Sequence, residues 1–201
     1  MNRAEFFARV ADRPTVELAR IQLAYWLAKN AHRPFYRDTG ERFFEHPRSV
    51  ALSLVDHGHR ETDNVVRALL HDVVEDTNTP YVVLVDLFGP KMWRELEILS
   101  RYVPSFDPIT GQTIGRYKKV LSEYYGPIVA ASDGVKLTKC ADRLHNLGTS
   151  DGWERARRER YVEETEQYIL PIARTLVSSY AAEIEAELDR IRATLRTPVA
   201  V

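Results

Sequence analysis

Apolar residues along the chain recur mostly at helical spacing. Val16, Leu18, Ala19, Ile21, Ala24, Leu27 and Ala28 fall on one helical face, and Pro14 precedes them where a first turn tolerates proline. The segment from Arg33 to Glu45 loses the period and carries Pro34, Asp38 and Gly40, so it reads as a loop. Helices are predicted over about 47–57 and about 61–77, the second carrying Val65, Val66, Ala68, Leu69, Leu70, Val73 and Val74. Two more are predicted over about 80–88 and 90–102, separated by Gly89. YVVLVDLF is β-branched enough to suit a strand, but its surroundings favour helix. VPSFDPITGQT, residues 103–113, reads as the clearest internal loop. Helices follow over about 114–124, 127–147 and 153–194, the last interrupted near Pro171. No alternating strand pattern persists, and there is no repeat or convincing linker. The expectation is an all-α helical bundle forming one domain over 1–201, with its core at about 18–175 and a C-terminal helix at about 176–195.

Composition changes this picture little. The 201 residues are 44% hydrophobic and 28% charged, ordinary values for a globular chain. A formal net charge of −1 gives no bulk attraction to nucleic acid or to an acidic membrane. An anionic ligand would be held by local positive charge or by metal. The one cysteine, Cys140, allows no internal disulfide and reads as core packing. The charged N-terminus has no signal-peptide apolar run, and no stretch approaches the roughly 20 apolar residues of a membrane span. The expected setting is the cytoplasm; oligomeric state stays open, a homo-oligomer among the options.

The first chemical signal is ALLHDVVEDT, residues 68–77. On a continuous helix, His71, Asp72, Glu75 and Asp76 share one side. Three carboxylates grouped there repel one another unless a cation offsets them. Taken alone, such a run is more often a solvated acidic face. His46, at the start of a predicted helix, and Asp142, within the apolar and basic KLTKCADRLHN, shift the balance. Two imidazoles and two carboxylates make a mixed nitrogen and oxygen set suited to Mn²⁺, Fe²⁺ or Co²⁺, with Zn²⁺ a further option. Four such ligands leave coordination positions for water and substrate, and Glu75 and Asp76 remain to orient or deprotonate that water. Lys139, three residues before Asp142, either draws phosphate or is simply exposed.

The order His, His-Asp, distant Asp resembles the HD superfamily of phosphohydrolases. AHRPFYRDTGERFFEHPRSVA, RALLHDVVEDTNT, FG, KCADRLHNLGT and ETEQYILPIA are similar to the hydrolase domain of the RelA/SpoT family, which includes small stand-alone alarmone hydrolases. The combination of HDVVEDT with ADRLHN is specific. The resemblance implies an HD-domain bundle and Mn²⁺-dependent removal of the 3′-pyrophosphate of ppGpp or pppGpp. It implies His46, His71, Asp72 and Asp142 as metal ligands and Glu75 and Asp76 as the catalytic pair. It places Arg37 against the guanine base, Asn146 and Thr149 near the nucleoside, and Arg157 and Arg160 near phosphates. An ion pair within the loop, to Asp38 or Glu41, is the plain alternative for Arg37. Three departures bear on the substrate: Asp38 stands for a common lysine, Gly148 for a common arginine, and EILSRYVPS for a GVTKL-like segment. They favour, as the alternative, an HD phosphohydrolase for another nucleotide; a nucleotide-binding regulator without turnover is a further alternative, which the loss of a metal ligand or of Glu75 and Asp76 would support, but all six residues are present. The length leaves no room for a synthetase domain beside the hydrolase.

Overall fold

Four helices build the first half of the chain: α1 (Arg3–Arg9), α2 (Thr15–Ala31), α3 (Glu45–Asp56) and α4 (Thr62–Leu70). The structure is a computed structural model that describes residues 2–176 and 178–196. Helix α1 escaped the periodicity argument because it is short. Its signal lies in Asn2 and Glu5: the Asn2 side chain accepts from the Glu5 N–H while the Glu5 carboxylate accepts from the Asn2 N–H, a capping box. A one-turn helix α5 (Val73–Asp76), then α6 (Tyr81–Phe88) and α7 (Pro90–Leu99), lead to a hairpin. Beyond it come α8 (Leu121–Ala130), α9 (Asp133–Gly148), α10 (Arg155–Glu164), α11 (Leu170–Leu176) and α12 (Ser178–Arg196).

Helix α9 is the central strut. It packs against α3, α4, α11 and α12, and buries Val135, Leu137, Cys140, Ala141 and Leu147. Around it Leu54, Leu69, Leu70, Leu96 and Ile184 are fully enclosed in one apolar cluster. Helix α12 joins this core through Tyr180, Ala181, Ile184, Leu188 and Ile191. The C-terminal helix therefore completes the bundle along α9; of its predicted span, Val177 lies outside the described residues. Among the described residues, no helix is long and apolar enough to cross a membrane.

Three expectations need correction, while the interruption expected near Pro171 is present. The helix predicted over 61–77 breaks at His71 and Asp72, where the chain turns between α4 and α5. The predicted end of a helix at 102, both ends of the loop at 103–113 and the first part of the helix at 114–124 are instead strands β1 (Tyr102–Phe106) and β2 (Thr113–Lys118), paired antiparallel with Tyr102 opposite Lys118, while 107–112 is a turn and 121–124 lie in α8. Tyr102, Val103, Phe106, Thr113, Ile114 and Tyr117 suit strands, but in β1 only Pro104 is buried and β2 is largely exposed, so no alternation marks them. The Asp107 carboxylate, accepting from the Ile109 and Thr110 N–H groups, and Gly111 at φ +66° close the turn. Pro127 sits inside α8, and the break falls at Ala131–Ser132, because Ser132 and Asp133 are the better helix-starting residues. Near Pro171 the backbone widens into a π-helical turn over Thr165–Ile169: proline has no N–H to give to the turn before it.

One buried ion pair ties the elements that carry the site. Arg67 of α4 donates to Glu95 of α7 at 2.7 Å and to Asn64 at 2.8 Å, and Ser132 before α9 donates to the other Glu95 oxygen at 3.1 Å. Gly134 lets α9 approach this cluster, since a Cβ there would sit 2.6 Å from the Asn64 Oδ1. The Gly134→Ala variant is therefore expected to lose about 1–3 kcal/mol of stability, measured by denaturant unfolding; an unchanged midpoint would contradict this account of the contact.

Candidate metal centre

The helix break at His71–Asp72 and the first turn of α3 meet the middle of α9 at the floor of a cavity of about 680 Å³. His46, His71 and Asp142 are at most 5% exposed there, while Asp72 is the more open group. Each offers one atom, and those of His46, His71 and Asp142 lie within 4.8 Å of one another. His46 Nε2 stands 3.2 Å from His71 Nε2, 3.2 Å from Asp142 Oδ1 and 3.3 Å from Asp72 Oδ2. His71 Nε2 is 3.2 Å from Asp72 Oδ1. Neighbouring ligands on a divalent ion, with bonds of about 2.1 Å, stand about 3 Å apart, so this spacing fits one shared ion.

The outer contacts orient the rings for the same purpose. His71 Nδ1 lies 2.7 Å from the Ala68 carbonyl, which can only accept, so Nδ1 carries the proton and Nε2 faces the centre. His46 Nδ1 lies 2.9 Å from His145 Nδ1, a contact that requires one proton between the two. Burial, with His46 and Arg37 nearby, lowers the His145 pKa to about 3, so His145 is neutral and able to accept. Asp142 is shared: Lys139 donates to its Oδ2 at 2.7 Å and Asn146 to its Oδ1 at 2.6 Å. Burial alone would raise the Asp142 pKa, but Lys139 and the two histidines hold it well below the carboxylate range.

Glu75 and Asp76 line the same cavity despite the broken helix. Glu75 Oε2 accepts the Arg101 N–H at 2.6 Å, so the hairpin's base fixes this carboxylate. Burial first, then the Asp72 charge, raises its pKa. The same causes, with Glu75 added, push Asp76 up to about 8.

The other expected residues also converge. Arg37 donates to Asn146 Oδ1 at 2.7 Å and Thr149 Oγ1 at 3.4 Å, rather than pairing with Asp38 or Glu41. Asp38 instead binds Arg157 at 2.6 Å, and Arg157 lies 3.9 Å above the Trp153 ring. Lys139 is buried against Asp142, so its charge is taken up inside the protein. Arg160 lines the cavity with them. The sequence reading missed Arg101, Lys118 and Tyr124 in the cavity wall; their signal was only the departure EILSRYVPS and the Lys118–Lys119 pair.

Comparison with known proteins places the fold. The sequence pattern described as HD domain matches residues 24–176. The chain belongs to the HD domain family. Among similar HD-domain proteins, GTP pyrophosphokinase rsh of Brucella melitensis is 33% identical over 86% of this chain and 22% of its own length. Guanosine-3′,5′-bis(diphosphate) 3′-pyrophosphohydrolase of Aquifex aeolicus is 33% identical over 82% of this chain and 23% of its length. The bifunctional (p)ppGpp synthase/hydrolase SpoT of Escherichia coli is 30% identical over 89% and 24%. The chain thus spans 22–24% of the length of these curated relatives. A solved structure of a metazoan ortholog of SpoT, described as hydrolysing ppGpp, shares the HD fold at a TM-score of 0.70 and 21% identity, over 89% of this chain and 97% of that one.

The Asp76 environment has a pH signature. The folded, metal-free chain keeps the Asp76 proton to about pH 8, whereas an unfolded chain loses it near pH 4. Between these values the folded state holds the extra proton, so on Asp76's account stability falls as pH rises. The melting temperature of Asp76→Asn should accordingly gain on that of the metal-free parent between pH 5 and 8. A difference between the two that is flat with pH would contradict the assignment.

Proposed function

We propose that this HD domain removes the 3′-pyrophosphate of guanosine 3′,5′-bis(diphosphate) or its pentaphosphate form, giving GDP or GTP. In this reading His46, His71, Asp72 and Asp142 hold one divalent ion, Mn²⁺, in a single cytoplasmic catalytic domain. The observation that carries the reading is the convergence of four ligating groups beside two further carboxylates that remain uncommitted to them. The relative from Aquifex aeolicus, which bears that activity in its name, gives the substrate class.

A divalent ion bound there would polarise a phosphoryl oxygen and lower the pKa of a water. The chain's own groups do the rest. Glu75, pinned through Oε2 by the Arg101 N–H, orients the attacking water with its other oxygen. Burial and the Asp72 and Glu75 charges push the Asp76 pKa up to about 8 in the metal-free chain; with the positive charge of an ion offsetting those carboxylates, Asp76 would be ionised near neutral pH and would take the proton from that water. The planar Arg37 guanidinium, fixed by Asn146 and Thr149, offers a stacking face to the base. Asn146 also bonds Asp142, so base recognition and the metal centre share one side chain.

The second reading, an HD phosphohydrolase for a different nucleotide, is favoured by Asp38, which ties up Arg157 at the cavity wall. A panel of nucleotides incubated with Mn²⁺ separates the two. Guanosine tetraphosphate should yield GDP and pyrophosphate, and Glu75→Gln and Asp76→Asn should each slow this by about 10²–10⁴-fold. Orthophosphate from a monoester, with no turnover of the tetraphosphate, would overturn the proposal. For the ligand set, Asp72→Ala should weaken Mn²⁺ binding by more than about 100-fold in titration calorimetry; an unaltered affinity would remove Asp72 from the site.

A further inference from the structure

The two carboxylates at the centre are not placed alike. Asp72 turns both oxygens to the imidazoles: Oδ2 lies 3.3 Å from His46 Nε2 and Oδ1 lies 3.2 Å from His71 Nε2. Among the described residues, no other side chain bonds or pairs with its carboxylate. Asp142 turns only one oxygen inward. Its Oδ1 lies 3.2 Å from His46 Nε2 and 3.7 Å from His71 Nε2, and accepts from Asn146 at 2.6 Å. Its Oδ2 accepts from the Lys139 ammonium at 2.7 Å.

The lysine is built into this place. Lys139 and Asp142 are three residues apart on α9, so they meet on one face of the helix. Both are buried. The Lys139 ammonium lies 5.1 Å from the centre of the Tyr124 ring, and the Tyr124 hydroxyl donates to the Leu99 carbonyl at 3.0 Å, which fixes that ring. An ammonium enclosed in this way has given up water for one carboxylate oxygen and one aromatic face. Turning it toward a ligand would leave the buried Asp142 Oδ2 without its donor, which is costly. The lysine therefore serves the carboxylate.

We propose that Lys139 is a positioning residue that restricts Asp142 to a single ligating oxygen. The inference rests on the metal reading given above. With Oδ2 held by the ammonium, only Oδ1 is offered to an ion. The coordination position that a second carboxylate oxygen would fill is left for water or for substrate. Charge works in the same direction. Two carboxylates cancel the charge of a divalent ion, and Lys139 restores one positive charge beside it, which favours an electron-rich phosphoryl oxygen. Lys139 acts on the reaction through Asp142, with no contact to the nucleotide.

The test uses the intact protein and Lys139→Met, which keeps the length of the side chain but removes its charge and its donors. Electron paramagnetic resonance of Mn²⁺ in ¹⁷O-enriched water counts the waters on the ion, and K139M should hold one fewer than the parent. In titration calorimetry K139M should bind Mn²⁺ about tenfold more tightly, because a like charge beside the ion is gone. Without metal it should melt below the metal-free parent, and saturating Mn²⁺ should narrow the gap. For guanosine tetraphosphate, kcat should fall about ten- to hundredfold with KM within about twofold. Lys139→Arg, which keeps a charged donor, should keep the parent's water count. Mn²⁺ present through purification supports the fold of K139M, and Lys139→Leu is a second variant expected to lose the same water. A water count equal to the parent's in the variants without charge would overturn the proposal. So would a raised KM with water count and Mn²⁺ affinity unchanged, since the lysine would then be holding phosphate. The expected loss of water in a protein whose parent does not turn over guanosine tetraphosphate would overturn the hydrolase reading and leave the role of Lys139 standing.

Discussion

Two carboxylates, the partly buried Asp72 and the buried Asp142, face two imidazole nitrogens at separations of 3.2–3.7 Å, with Glu75 and Asp76 in the same cavity. Such a cluster carries a large electrostatic cost unless positive charge is supplied at its centre. The chain answers part of this itself. Lys139 neutralises one side of Asp142, and the two carboxylates raise the His71 pKa well above the ordinary imidazole value against the effect of burial. The remainder of the demand is what makes the site a place for a divalent ion.

The bundle exists, in functional terms, to hold three short segments against that repulsion. The α3 turn, the α4–α5 break and the middle of α9 come from distant parts of the chain, and α3, α4 and α9 all contact one another. The Arg67–Glu95 pair closes α4 onto α7 and, through Ser132, onto the start of α9. The hairpin adds the fourth side, with its backbone holding Glu75. The Arg37 side of the cavity and the candidate metal centre are joined by short bonds: Arg37 to Asn146, Asn146 to Asp142.

Much of this was legible in the residues. His71 and Asp72 stood out within an acidic run that alone reads as a solvated face; His46, Asp142 and the resemblance of HDVVEDT with ADRLHN turned that run into a candidate metal site. The helical class followed from periodicity, which is strong where one face is buried, as in α3 and α4. The hairpin was hidden because β2 is largely exposed and shows no inward face to read. The helix break at His71–Asp72 was hidden for a different reason: no glycine or proline marks it. The partnership of Lys139 with Asp142 follows from their spacing of three on a helix, but only burial decides that the lysine serves the carboxylate rather than a ligand. Asp38, set apart in the sequence as an anomaly, acquires a partner in Arg157, a contact 119 positions away that no local pattern encodes.

The central claim is that two imidazoles and two carboxylates from these three segments bind one ion. Electron paramagnetic resonance of Mn²⁺ bound to protein carrying ¹⁵N-histidine tests it directly, since the spin couples only to nitrogens that touch the metal. The account predicts one ion per chain coupled to two histidine nitrogens, one of them lost in His46→Ala and one in His71→Ala. A spectrum with no histidine coupling, or one that neither substitution changes, would contradict it.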